Sequence, residues 1–104
     1  MANPEDTKLV TLATNTLARS GATQAAALRD TTGRTYVAIN VSTKNFSLTA
    51  LDAVFTVAMA SQIAGIEGVV VAGNATGDTS VIFTHSPQAT IFHIDESGVI
   101  AALR

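Results

Sequence analysis

Phe46-Ser47-Leu48-Thr49-Ala50-Leu51-Asp52-Ala53-Val54-Phe55-Thr56-Val57-Ala58-Met59-Ala60-Ser61-Gln62-Ile63-Ala64-Gly65, followed almost at once by Val69-Val70-Val71-Ala72, decides the fold class. Between Leu51 and Ile63 only Asp52, Thr56, Ser61 and Gln62 interrupt the apolar run. A helix that is apolar nearly all round is buried on most sides, either between a sheet and other helices or at a subunit interface. Ser47 is expected to cap this helix and Phe46 to pack on Leu51 as a hydrophobic staple. Gly65 is expected to stop it. The run Val69 to Ala72 then reads as a buried parallel strand reached through a crossover helix.

Upstream, Asn3 suits an N-cap, Pro4 the first helical position, and Glu5 and Asp6 the first turn. Leu9, Leu12, Ala13 and Leu17 recur at helical spacing up to about Arg19, and Ser20-Gly21 ends the element. Ala25 to Leu28 and Thr35 to Val41 read as strands joined by the turn Arg29-Asp30-Thr31-Thr32-Gly33. In the second strand Val37, Ile39 and Val41 share one face, and Tyr36, Ala38 and Asn40 the other. Downstream, Gly73 to Asp78 reads as a surface loop, because it lacks the lysine of a P-loop and the spacing of a dinucleotide fingerprint. Residues 79–88 have no pattern that types them as helix, strand or loop. Ala89 to Ile94 and Val99 to Leu103, flanking Asp95-Glu96-Ser97-Gly98, read as a terminal hairpin. The order α-β-β-α-β-hairpin implies one α/β domain over residues 1–104, a mixed sheet with helices packed on it.

Composition narrows the function classes. Apolar residues make up 47% of the 104 and charged residues 13%, which excludes disorder and implies heavy burial. So few charges favour closure of apolar surface against another copy, hence a homo-oligomer. The net charge is −2 and the six Lys and Arg residues are scattered, so binding to nucleic acid through phosphates is not expected. No cysteine is present, which excludes disulfides, thiolate nucleophiles and thiolate metal ligands. The start, Met1-Ala2-Asn3-Pro4-Glu5-Asp6, lacks the basic-then-apolar run of a signal peptide, and no stretch reaches the roughly 20 apolar residues of a membrane span. A cytoplasmic address is the expectation.

Ala26-Ala27-Leu28, Gly33-Arg34-Thr35-Tyr36, Asn40-Val41 and Phe46-Ser47-Leu48-Thr49 carry a further signal in their joint spacing. From about Ser20 to Ala60, without a gap, the chain resembles the first half of the cytidine deaminase family. That resemblance implies a three-layer α/β fold, truncated here, and an oligomer that buries the long helix. The family's chemistry takes a zinc-bound water, and a carboxylate beside it that shuttles protons. In register, the first zinc ligand falls at Leu51 and the glutamate at Ala53. For the second motif, proline-cysteine-x-x-cysteine, two placements stand. Ser86-Pro87 could begin it, putting Gln88 and Ile91 at the ligand positions. Alternatively its helix is shortened away and Pro87 to Leu103 matches the family's terminal hairpin, which the strand-turn-strand composition favours. Neither placement supplies a ligand. The base-packing aromatic falls at Ala22. Asn40 matches the ribose-binding asparagine, but its glutamate companion falls at Ser42. The implied reading is a cytidine deaminase-like chain that takes no zinc, catalyses no deamination and serves assembly or interaction. The alternative is a nucleoside- or nucleotide-binding module with a vestigial site around Asn40.

The remaining polar residues have plainer readings. His85, His93 and Asp95 could share a metal, but a strand-end histidine and a turn aspartate fit so loose a spacing better. Asp52 near the start of the long helix complements its dipole, with no base beside it in sequence. Asn40 could equally satisfy turn backbone.

Overall fold

The structure is a computed structural model that describes residues 3–75 and 77–103. Helix α1 runs Pro4–Ser20, and strands β1 and β2 run Gln24–Asp30 and Thr35–Ile39. Val41–Ser42 and Ser47–Leu48 form the short strands β3 and β4, before helix α2 at Ala50–Ala60. Strand β5 covers Ile66–Gly73, helix α3 Ser80–His85, and strands β6 and β7 Thr90–Ile94 and Ile100–Ala102. The main sheet has the order β2-β1-β5-β6-β7, and β3 pairs only with β4. Only β5 and β6 are parallel; the other pairs in the main sheet are antiparallel. The sheet is mixed, as the order of elements implies.

Alternation along the central strands sends side chains to two opposite cores. Ala26, Leu28, Val69, Val71 and Ile91 share one with Leu51 and Val54 of α2 and Ile82 of α3. Ala27, Val70, Ala72 and Ile94 share the other with Leu9 and Ala13 of α1. A strand buried on both faces reads as a continuous apolar run, which is why Val69 to Ala72 shows no period of two. The result is three layers, α1 on one side of the sheet and α2 with α3 on the other.

The first helix is built as its sequence predicts. Asn3 Oδ1 accepts from the Glu5 N–H at 2.9 Å, and Gly21 caps the far end at φ 69°. The two hairpins reuse one five-residue device, Asp30-Thr31-Thr32-Gly33-Arg34 and Asp95-Glu96-Ser97-Gly98-Val99. In each, the aspartate Oδ1 accepts from the backbone N–H and the hydroxyl of the residue two ahead and from the backbone N–H of the residue four ahead. The glycines take φ 90° and 88°, conformations that side chains with a Cβ resist. Burial pushes the Asp30 pKa up, but hydrogen bonds from Thr32 and Arg34 outweigh it and hold the carboxyl below its ordinary value.

Three expectations about local structure need correction. Ser47 does not cap the long helix: it pairs in β4 with Ser42, and Thr49 is the cap, its Oγ1 accepting from the Asp52 N–H at 3.1 Å. Phe46 is no staple, because the β3–β4 turn leaves it 57% exposed. The helix ends at Ala60 instead of near Ala64, since β5 begins already at Ile66 and the chain must reverse sooner. Residues 79–88, which no sequence pattern types, contain a helix, α3. Gln88 lies in the turn after it, and Ile91 is buried in β6.

The reversal after α2 is a Schellman motif. Ile63 N–H donates to the Ala58 carbonyl and Gln62 N–H to that of Met59. Its left-handed position holds Gln62 at φ 60°, the one positive-φ residue other than glycine among those described. Left-handed backbone strains an L side chain by roughly 1–2 kcal/mol, and glycine loses roughly 0.5–1 kcal/mol more entropy on folding. Gln62→Gly is therefore expected to raise stability by about 0.5–1 kcal/mol, read as a higher urea midpoint at unchanged slope.

Candidate functional site

The start of α2 lies against the edge of the sheet where β1 begins and β5 ends, since Gln24 pairs with Gly73. Gln24 organises this corner. Its Oε1 accepts from the Ala50 N–H at 3.1 Å, satisfying a first-turn donor of α2. Its Nε2 donates to the Asn74 and Ala75 carbonyls at 3.2 and 3.1 Å. Its backbone N–H donates to Asn40 Oδ1 at 3.0 Å, while the Asn40 N–H donates to the Gln24 carbonyl at 3.3 Å. Asn40 thus serves the backbone where β2 ends. Within the first turn of α2, Leu51 is fully buried and Ala53 only 6% exposed. Gln24, which carries no role in the sequence expectations, thus ties the ends of β2 and β5 to the start of α2, the helix that bears Leu51 and Ala53. Its signal was present: Gln24 continues the face of Ala26 and Leu28, a polar side chain aimed into an apolar core.

A family pattern described as cytidine deaminase-like matches residues 2–98, nearly the whole chain. The chain belongs to the cytidine deaminase-like family. Its fold is that of solved cytidine deaminases. One from Burkholderia pseudomallei superposes with a TM-score of 0.77 at 13% identity, covering 92% of this chain and 89% of the other. One from Mycobacterium leprae gives 0.72 at 16% identity, covering 96% and 94%. One from Bacillus anthracis gives 0.69 at 15% identity, covering 97% and 84%. No curated protein matches by sequence.

At the two positions where the resemblance expects a zinc ligand and a proton carrier, the side chains present do not suit the metal. A Leu51 isobutyl group and an Ala53 methyl group, both in the core, offer no nitrogen, sulfur or oxygen to a metal and no proton to a substrate. Among the described residues no three His, Cys, Asp or Glu side chains gather as ligands. The histidines go to different places. His85 Nδ1 lies 2.8 Å from Ser86 Oγ at the end of α3, its ring edge-on to Phe55 with centroids 5.9 Å apart. Ser86 Oγ in turn accepts from the Ile66 N–H at 2.8 Å, which ties α3 to the start of β5. His93 Nε2 lies 2.8 Å from the Gly73 carbonyl and lines a polar cleft of about 510 Å³ with Asp95. Asp95 is held below its ordinary pKa first by the Ser97 hydroxyl and then by the Val99 N–H. Asp52 sits in the first turn of α2, where the helix dipole favours it.

A second polar cluster lies across the sheet. Arg29 was read as a turn residue, but it is the sixth residue of β1 and is 3% exposed. Its Nη2 donates to Asp6 Oδ1 at 2.9 Å, and its Nε to Glu67 Oε1 at 2.7 Å. Nη1 is buried without a partner. A Cβ at Gly68 would come within 3.3 Å of both the Arg29 and the Asp6 side chains, so glycine makes room for the pair. Spacing could have found it: Asp6, Leu9 and Ala13 lie on one helical face, and Ala27 and Arg29 on one strand face. The cluster fastens α1 to the sheet.

Among the described residues no helix is long and apolar enough to cross a membrane.

Proposed function

We propose that this chain is a non-catalytic cytidine deaminase-like domain that acts through assembly with copies of itself or with another protein, in the cytoplasm. The observation that carries the reading is the burial of Leu51 and Ala53 at the positions where the family resemblance expects a metal ligand and a proton carrier. Hydrocarbon neither coordinates zinc nor moves protons, and Gln24 occupies the polar corner beside it. Self-association is supported by the outer side of α2. Phe55 and Met59 are only partly covered on one flank of the helix, and Val57 on the opposite flank is 42% exposed, so apolar surface remains on both sides of the buried face. The nucleoside-binding alternative is weakened because Asn40 Oδ1 already accepts from Gln24.

The test combines metal analysis of tag-free protein, cytidine turnover, thermal shift with nucleosides and light scattering. We expect no stoichiometric zinc, no uridine, no melting-point rise and a dimer or larger species at micromolar concentration. Zinc at one equivalent together with uridine formation sinks the non-catalytic reading. A nucleoside-dependent rise in melting point favours the binding module instead. A protein that stays monomeric sinks self-association.

A further inference from the structure

We propose that the free edge of β7 pairs with β7 of a second copy, antiparallel and about a two-fold axis at Ala101, joining two five-stranded sheets. This deepens the assembly reading and rests on its premise that copies associate, but it uses a surface remote in sequence from α2.

The argument starts from the hydrogen-bond alternation of an antiparallel pair. Leu103 N–H donates to the Ile91 carbonyl and Asp95 N–H to that of Val99, so Val99, Ala101 and Leu103 turn their backbone groups toward β6. Ile100 and Ala102 therefore turn theirs away from it, along a strand that ends the sheet order. Two of the usual guards, charge and proline, are missing from this short edge. From Ser97 to Leu103 there is no charge and no proline, and Val99 and Ile100 are 60% and 42% exposed.

The edge also matches itself. With the axis at Ala101, Ile100 faces Ala102 of the second copy, and that pair exchanges both N–H···O=C bonds; symmetry repeats the exchange on the other side. Both outward N–H groups and both outward carbonyls are then used. Ala101 faces its own counterpart as the close, non-hydrogen-bonded pair, where strands approach to about 4.5 Å and a methyl group fits. Val99 faces Leu103, and each bulky Ile100 meets a small alanine. A shift by one residue would set outward-turned residues against inward-turned ones and lose the bonds, and a shift by two would set Ile100 against Ile100 in place of an alanine.

Three variants test the edge. Ile100→Lys places a charge on it. Ala102→Pro removes an outward N–H without touching the bonds to β6. Val57→Lys places a charge on the exposed apolar flank of α2. Mass is read by sedimentation at equal concentration, with circular dichroism confirming the fold. We expect Ile100→Lys and Ala102→Pro each to halve the mass, with Val57→Lys acting separately. If Val57→Lys alone lowers the mass, the edge proposal is wrong and the α2 contact stands. If only the edge variants lower it, the α2 contact is wrong. Amide exchange gives an independent readout. The Ile100 N–H should exchange about tenfold or more slowly at high protein concentration, and lose that protection in Ala102→Pro. A rate independent of concentration overturns the pairing.

Discussion

Truncating Leu51 to alanine is expected to cost about 3–5 kcal/mol, a large share of the roughly 5–15 kcal/mol that holds a domain of this size together. Leu51 is fully buried and lies between α2 and the sheet, among Ala26, Leu28, Val69 and Ile82. Its removal loses the transfer free energy of the side chain and leaves a cavity that close-packed neighbours fill only in part. Urea unfolding followed by circular dichroism measures the effect, with Leu51→Met as the volume-conserving control expected to lose less than about 1.5 kcal/mol. A loss below 1 kcal/mol for Leu51→Ala would mean that the position is an open pocket floor and not core. The experiment thus reports on function as well as stability, because it asks whether the place of a first zinc ligand has become packing.

The second large effect is expected at Arg29. Arg29→Met leaves the Asp6 carboxylate, whose side chain is 8% exposed, buried without its partner. Breaking a buried pair from one side costs about 3–5 kcal/mol, because the remaining charge keeps its desolvation penalty. Glu67 suffers less, since its side chain is 48% exposed and water can replace the lost bond. The double variant Asp6→Leu with Arg29→Met should recover most of the loss, as well-packed apolar groups often replace a buried pair without penalty. The double-mutant cycle then isolates the coupling between α1 and β1. Additive losses would show that the two charges act independently.

The sequence made several elements legible for local reasons. Asn3, Pro4 and Gly21 bracket α1 because caps and punctuation act within a few residues. The two aspartate-to-glycine turns announce their hairpins for the same reason. The apolar run at 69–72 marks a strand buried on both faces, because both cores demand hydrocarbon there. The joint spacing from Ser20 to Ala60 carries the family resemblance, and the family pattern matches residues 2–98. What stayed hidden depends on distance. Thr49, not Ser47, starts α2 because β4 claims Ser47, and that claim comes from pairing with β3. Phe46 resembles a staple in sequence, yet the same hairpin turns it outward. Residues 80–85 form a helix with no side-chain cap, held by packing of Ile82 and by the Ser86–Ile66 bond.

Taken alone, the sequence determined the alternation of helix and strand, the lack of thiols and the hydrocarbon at Leu51 and Ala53, because each is a property of one residue or its near neighbours. The tertiary structure alone decided that Gln24 ties the ends of β2 and β5 to the start of α2, that Arg29 pairs with Asp6, and that β7 lies at an open edge. Those features join residues far apart in the chain, and the free energy that selects them comes from burial and from hydrogen bonds that exist only once the sheet has formed.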